Sequence, residues 1–268
     1  MDKIANTKKI VVSAIVPVFN EEQTVSGVIE TLLKNPLIDE VICINDGSTD
    51  DSLKKLKNFK NRIQIISLRK NKGKGFALAK GIKNANGKIV LFIDADLVNL
   101  SDAHLEKLLN PISDKETKAV LGYPAKNEYF PEIFSKLTGE RVYYRKDLIP
   151  HLAKMSQTRF GVEVFLNSLF KEKETKKIPL KHLKGLLKYE KRKSSDAITE
   201  YLNEAVEIAL EIGRKEGLLP ADKKIISKLR KVSNLNELKK TVEKLYNKSI
   251  KQFFEKYILK YMRSDFFK

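Results

Sequence analysis

Asp94 and Asp96 stand two residues apart at the end of an apolar run, in KIVLFIDADL from Lys88 to Leu97. Residues two apart on an extended strand share a face, so these carboxylates would point the same way. Like charges that close repel unless a cation sits between or beside them. Hard oxygen ligands suit Mg2+ or Mn2+, which also accept diphosphate oxygens and water. A solvated acidic turn would carry the same pair, but placement at the end of a long apolar strand favours metal. Upstream, NKGKGFALAKG sets Lys74 between Gly73 and Gly75. Such glycines let backbone amides approach an anion at a helix N-terminus, and the lysine adds charge. In VICINDGSTDDS, Asp46 can accept a hydrogen bond from the imide of uracil or the amide edge of guanine; the local alternative is turn chemistry, with Ser48 or Asp50 capping a helix. In SAIVPVFNEE a strand ends near Pro17, and Asn20-Glu21-Glu22 opens a helix whose N-terminus favours acidic residues.

The elements that must position these groups alternate. Strands are predicted over Ile10–Val18, Glu40–Asn45, Ile63–Leu68 and Lys88–Asp94, with helices over Glu21–Leu33, Asp51–Phe59 and Lys74–Asn84. Continuous apolar strands separated by helices imply a parallel sheet covered on both faces, hence a doubly wound α/β domain. Ligands of such sheets sit beyond the carboxyl ends of the strands, where the three polar clusters would converge. Ala119–Tyr123 reads as a further strand and Gly161–Phe170 as a helix. From about Ser194 the chain reads as helical, with Ile198, Tyr201, Leu202, Ala205, Ile208, Ala209 and Ile212 at helical spacing. A last helix is expected from Leu235 to Met262, with Leu238, Val242, Leu245, Tyr246, Phe253, Tyr257 and Tyr261 as its apolar stripe. The Lys-rich stretch Lys188–Lys193 marks the expected boundary, giving a catalytic domain over 1–190 and a basic helical extension over 191–268.

Taken in order, the three motifs resemble the family 2 nucleotide-sugar glycosyltransferases of the GT-A fold, strongly from Val12 to Leu97 and more weakly to about Glu190. The resemblance implies a mostly parallel, Rossmann-like sheet and a metal-dependent, inverting transfer of a sugar from a UDP- or GDP-linked donor. By matching position it makes Pro17, Phe19, Glu21 and Asp46 base contacts and puts Gly73 and Lys74 near the base or phosphates. Asp94 and Asp96 would serve ribose, diphosphate and Mg2+ or Mn2+, with Asp96 the stronger metal ligand. TGERVYYRKDL, Thr138 to Leu148, resembles the family's acceptor-side loop, so Gly139, Glu140 and Arg141 are expected to bind acceptor. RFGVEVFLN, Arg159 to Asn167, resembles a segment of glucosyl-3-phosphoglycerate synthases and dolichyl-phosphate mannosyltransferases, which makes Glu163 the catalytic carboxylate. Its neighbours are nearly all apolar, so its side chain should face inward. His182 is either a further metal ligand, as some related transferases place one, or a surface histidine in a basic loop.

Composition bounds the partners. The 268 residues are 42% hydrophobic and 32% charged, with a net charge of +18, a globular pattern that attracts phosphate. A nucleic-acid partner is not expected, because rim carboxylates repel a polyanion. A sugar-nucleotide pyrophosphorylase would need a glycine-rich loop where Val18-Phe19-Asn20-Glu21 stands. The acceptor is expected to be a small phosphorylated molecule or a lipid phosphate. From Ala221 to Lys268 there are fourteen Lys or Arg against five acidic residues, interleaved with aromatics including Phe254, Phe266 and Phe267; this suits either packing on a core or peripheral contact with an anionic membrane. A homodimer is compatible with this reading. The single cysteine, Cys43, permits no intrachain disulfide. With no apolar leader in MDKIANTKK and no long uncharged apolar segment, the expected location is the cytoplasm, with or without contact at the inner face of the membrane.

Overall fold

A computed structural model describes residues 11–125, 137–186, 194–229, 231–232 and 235–259. The predicted start at Ile10, the boundary at Lys188–Lys193, the MDKIANTKK segment, and Tyr261, Phe266 and Phe267 lie outside the described residues. The chain divides into two compact units. The first comprises Met1–Ser156 and Phe170–Gly185; the second comprises Gln157–Leu169 and Leu186–Lys268. The segment bearing Glu163 therefore groups with the C-terminal helices rather than with the sheet, which differs from a single division near residue 190.

The first unit is built on a seven-stranded sheet in the order β3-β2-β1-β4-β6-β5-β7. The strands are β1 (Val12–Val18), β2 (Glu40–Asn45), β3 (Gln64–Ser67), β4 (Ile89–Phe92), β5 (Ala119–Ala125), β6 (Arg141–Tyr144) and β7 (Thr175–Lys181). Helices α1 (Val25–Lys34), α2 (Ser52–Lys57), α3 (Lys74–Asn84) and α4 (Asp102–Leu109) alternate with the early strands. β1 and β4 are buried along nearly their whole length because both faces of the sheet are covered. One face packs Val16, Val28, Ile29, Leu32, Cys43, Leu91 and Leu105 into a common core. Burial pushes the Cys43 thiol up, so it stays neutral and acts as a small hydrophobe.

The sheet is mostly parallel but not wholly so. β1, β2, β3 and β4 pair in parallel, as do β5 and β7. β6 runs antiparallel to both β4 and β5. Phe92 at the end of β4 is therefore opposite Arg141 at the start of β6. This reversal matters for the site: the residues before β6 arrive at the rim where β1, β2 and β4 end. β7, parallel to β5, finishes at that rim too, so the segment after Lys181 also reaches it.

In the second unit a helix spans Ser194–Lys215, with Leu202, Ala205 and Ala209 buried as the periodicity predicts. The expected single helix from Leu235 to Met262 is broken. It runs as Leu235–Val242, then Lys248–Phe253, then a looser π-type turn over Phe254–Leu259. Asp222, fully buried on the helix Pro220–Leu229, causes the break: its carboxylate accepts the backbone N–H of Tyr246 (2.7 Å) and of Asn247 (3.1 Å). The Asn247 side chain then caps the next helix by accepting from Ile250 N–H. Tyr246, expected on the apolar stripe, is instead 71% exposed. Asp222→Ala leaves two amides without their charged acceptor and should destabilise the protein by about 2–3 kcal/mol, read as a lowered urea midpoint; an unchanged midpoint would show that the carboxylate does not hold this break.

Candidate donor site at the carboxyl rim

The three polar clusters meet at the rim and are stitched to each other. Asn20 takes φ +57° as the chain leaves β1; its N–H donates to Ser48 Oγ (3.0 Å) and its side-chain oxygen accepts Thr49 N–H (2.7 Å). Glu21 N–H donates to Ser52 Oγ (2.7 Å). Thr24 donates its hydroxyl to the carbonyl of Ala95 (2.7 Å), the residue between the two aspartates. The first loop is thus fastened to the second and to the DAD turn, with Pro17, Phe19 and Glu21 half-buried along it.

Asp46 is 3% exposed, and its carboxylate accepts the N–H groups of Lys72 (2.8 Å) and Gly73 (2.7 Å). It braces the loop that opens α3, a task the expectation of a base contact did not include. Gly73 takes φ +95°, a left-handed conformation that glycine accepts without a steric penalty. That turn sets Lys74 as the first residue of α3. Lys74 Nζ then reaches Asp94, 2.7 Å from Oδ1 and 2.9 Å from Oδ2.

The segment before β6 closes on Asp94 from another direction. A Cβ at Gly139 would lie 2.0 Å from Asp94 Oδ2, so only glycine lets this backbone approach the carboxylate. Glu140, beside it, is buried and accepts the Thr138 hydroxyl. Burial, then the charge of Asp94, pushes the Glu140 carboxyl up to about 7, against the opposing pull of the Thr138 hydrogen bond and Lys74. Expected in an acceptor loop, Glu140 is electrically part of the aspartate cluster. Arg141 is 1% exposed: its Nε donates to the Thr138 carbonyl (2.7 Å) and Nη1 to Tyr143 Oη (3.0 Å). The guanidinium is turned inward, bracing the Thr138–Glu140 turn.

Asp96 is flanked by the segment after β7. Leu97 bridges to Gly185, and Val98 N–H donates to the Lys184 carbonyl (3.0 Å). A Cβ on Gly185 would stand 3.4 Å from Asp96 Oδ1, in ordinary contact. His104 fixes this segment: its Nε2–H donates to the Lys181 carbonyl (2.8 Å) while Nδ1 accepts Ser101 N–H (3.2 Å). His182 itself is exposed, at φ +64°, and its carbonyl accepts the Asn99 side-chain amide. The structure does not gather it with the aspartates: among the described residues no three His, Cys, Asp or Glu side chains form a ready metal cage. Gly185 and Asn99 were not singled out by sequence, since nothing local in a Gly or an Asn reveals a partner more than eighty residues away. Glu163, in the short helix Val162–Asn167 of the second unit, is 7% exposed, buried as its apolar neighbours imply.

The donor set fits a hard divalent cation that brings part of its own coordination: two carboxylates on one turn, with backbone crowded against Asp94 where only glycine fits. Mg2+ characteristically takes one or two protein carboxylates plus phosphates and waters. Glu140 has a testable signature. It holds its proton more tightly folded than at its ordinary value of 4.5, so metal-free protein should lose stability as pH rises from about 4.5 through about 7. Glu140→Gln should flatten melting temperature against pH across that window; parallel curves for variant and wild type would refute the assignment.

Comparison with known proteins places this rim in context. The model of the family "Glycosyl transferase family 2" matches residues 13–178. A glucosyl-3-phosphoglycerate synthase of Mycobacterium tuberculosis is 32% identical over 110 residues, covering 38% of this chain and 33% of that protein. A dodecaprenyl-phosphate galacturonate synthase of Rhizobium johnstonii is 29% identical over 119 residues, covering 41% of this chain and 35% of that one. These alignments span about a third of the relatives' length. Among solved structures, the glucosyl-3-phosphoglycerate synthase of Mycobacterium tuberculosis in complex with Mn2+, UDP-glucose and glycerol 3-phosphate superposes with a TM-score of 0.61 at 21% identity, covering 80% of this chain and 82% of that chain. That likeness shows a shared fold, the GT-A arrangement of a mostly parallel sheet flanked by helices. The match over more than half of the sequence is decisive for family: the chain belongs to glycosyltransferase family 2.

Proposed function

We propose that the protein is a metal-dependent, inverting glycosyltransferase that moves a sugar from a nucleoside-diphosphate donor to a hydroxyl or phosphate acceptor. The observation that carries this is the Lys74–Asp94 contact beside Asp96, at the rim where the chain's three polar loops are fastened together. Inversion and metal dependence are taken from the family. The solved relative that binds UDP-glucose with Mn2+ supports a UDP-linked donor, and the relatives whose names specify a phosphorylated or prenyl-phosphate product support a phosphorylated acceptor.

In this reading the loop of Pro17, Phe19 and Glu21 and the turn braced by Asp46 receive the base, while Gly73, Lys74 and Asp94 receive ribose and diphosphate. Asp94 and Asp96 would hold Mg2+ or Mn2+, which when bound supplies positive charge to the departing diphosphate. One bond forms between the acceptor oxygen and the anomeric carbon as the bond from that carbon to the diphosphate oxygen breaks. The electron pair leaves with the diphosphate, where Lys74 adds a compensating charge. Glu163 is assigned to the acceptor's proton; an ionised phosphate acceptor would not need that service. Gly139, Glu140 and Arg141 are assigned to the acceptor side, with Arg141 bracing the Thr138–Glu140 turn through the Thr138 carbonyl. His182 would join the metal only after a rearrangement of its loop.

A screen of nucleotide sugars with Mn2+ or Mg2+, read as release of nucleoside diphosphate, tests the activity. Asp96→Asn should lower turnover at least about a hundredfold, the scale of losing one electrostatic partner of the leaving group, with an unchanged melting temperature. Unaltered metal-dependent turnover in that variant would remove the proposal's centre. Glu163→Gln separates the acceptor classes: severe loss supports a hydroxyl acceptor, and mild loss supports a phosphate.

Peripheral contact with an anionic bilayer is supported by one further observation. Leu219 and Tyr246 are 49% and 71% exposed in the lysine-rich second unit, and aliphatic and amphipathic aromatic side chains among lysines suit a lipid headgroup region. No helix among the described residues is long and apolar enough to cross a membrane. Flotation on anionic vesicles should carry the protein upward at low salt and less so at physiological salt. Recovery only in the soluble fraction at both salts would rule the contact out.

A further inference from the structure

We propose that Lys74 is a resident counter-ion of the donor site, which holds Asp94 until a nucleoside diphosphate arrives and then exchanges the carboxylate for phosphate oxygens. The inference rests on the donor-site reading above and deepens it, by making divalent-cation binding conditional on the nucleotide.

The geometry is specific. Lys74 Nζ lies within 2.9 Å of both Asp94 oxygens, so a single ammonium engages the whole carboxylate. The lysine side chain is 17% exposed and the aspartate 27%, which keeps much of the pair out of solvent screening. The base of the lysine is fixed by the positive φ of Gly73 and by the Asp46 clamp on the amides of residues 72 and 73. The carboxylate is crowded from another direction by Gly139, where not even a methyl group fits. A cation binding Asp94 in this arrangement must displace an ammonium or share the carboxylate with it, and the two positive charges repel.

A diphosphate changes that balance. It brings negative charge of its own and offers Lys74 another anionic partner within reach of a flexible four-carbon stem. Once the ammonium has moved to phosphate, Asp94 is available to a cation, which also meets the phosphate oxygens. Cation and nucleotide then strengthen each other's binding, and by linkage the effect is reciprocal. The carboxylates are never left facing each other uncompensated, because one positive group replaces another. An ammonium serves here better than a guanidinium would in exchange, since it is a compact charge with no fixed fork.

The test is a Mn2+ titration of the full chain, followed by electron paramagnetic resonance of free Mn2+, alone and with UDP or GDP, corrected by protein-free titrations. Wild type should bind Mn2+ at least about tenfold more tightly with the diphosphate than without, within the usual range of coupling between sites. Lys74→Met should bind Mn2+ alone about tenfold more tightly than wild type and should show a nucleotide enhancement about tenfold smaller, keeping the part that the cation's own contacts with phosphate supply. Lys74→Arg, which keeps the charge, should retain weak binding of Mn2+ alone, and circular dichroism checks that both variants are folded. A folded Lys74→Met that binds Mn2+ alone no better than wild type, or that keeps the full enhancement, overturns the proposal while leaving the donor site standing. If wild type binds neither UDP nor GDP in the presence of Mn2+, the donor-site reading fails and this inference fails with it.

Discussion

Repulsion among carboxylates at one rim is the constraint on which the site depends. Asp94, Asp96 and Glu140 influence one another closely enough that the charges of both aspartates raise the Glu140 carboxyl. Such a cluster persists only with compensation, and the fold supplies it in three forms. Lys74 neutralises Asp94 directly. The Thr138 hydroxyl donates to Glu140. Burial keeps a proton on Glu140 over more of the pH range than an exposed carboxyl would hold. These compensations offset the repulsion of a clustered set of carboxylates, which is the pattern expected where charge is arranged for chemistry rather than for folding.

Positioning follows from backbone rather than from long side chains. The loops after β1 and β2 bond to each other through Asn20, Ser48 and Ser52, and Thr24 ties them to the carbonyl of Ala95. Asp46 fixes the turn that launches Lys74. His104 and Asn99 hold the segment beside Asp96. The backbone at the site is thus held by hydrogen bonds from several loops, and Lys74 reaches Asp94 across it from the start of α3.

Much of this was legible in the residues because the relevant signals are local. The apolar runs ending in Asn45-Asp46 and Asp94-Ala95-Asp96 identify strands and their polar ends, and the Gly73-Lys74-Gly75 turn marks the start of α3 where the structure has it. Strand direction is different. A short segment such as Arg141–Tyr144 carries no sign of being antiparallel, yet that direction brings Gly139 and Glu140 to the rim beside Asp94. Arg141 is expected at the acceptor through the family resemblance of its segment, and its burial depends on Tyr143 and on a carbonyl fixed by the tertiary fold. The break near Tyr246 is set by Asp222, twenty-four residues away, and helical periodicity has no access to such a contact. Long-range pairing, not local propensity, decided each of these points.

We read Asp94 and Asp96 as a cation site completed by a nucleoside diphosphate. Anomalous diffraction at the manganese edge from crystals grown with Mn2+ and UDP or GDP tests it most directly. One strong peak is expected within coordination distance of an aspartate oxygen from this pair and of the diphosphate. Bound nucleotide with manganese absent from this turn, or coordinated elsewhere on the chain, would contradict it.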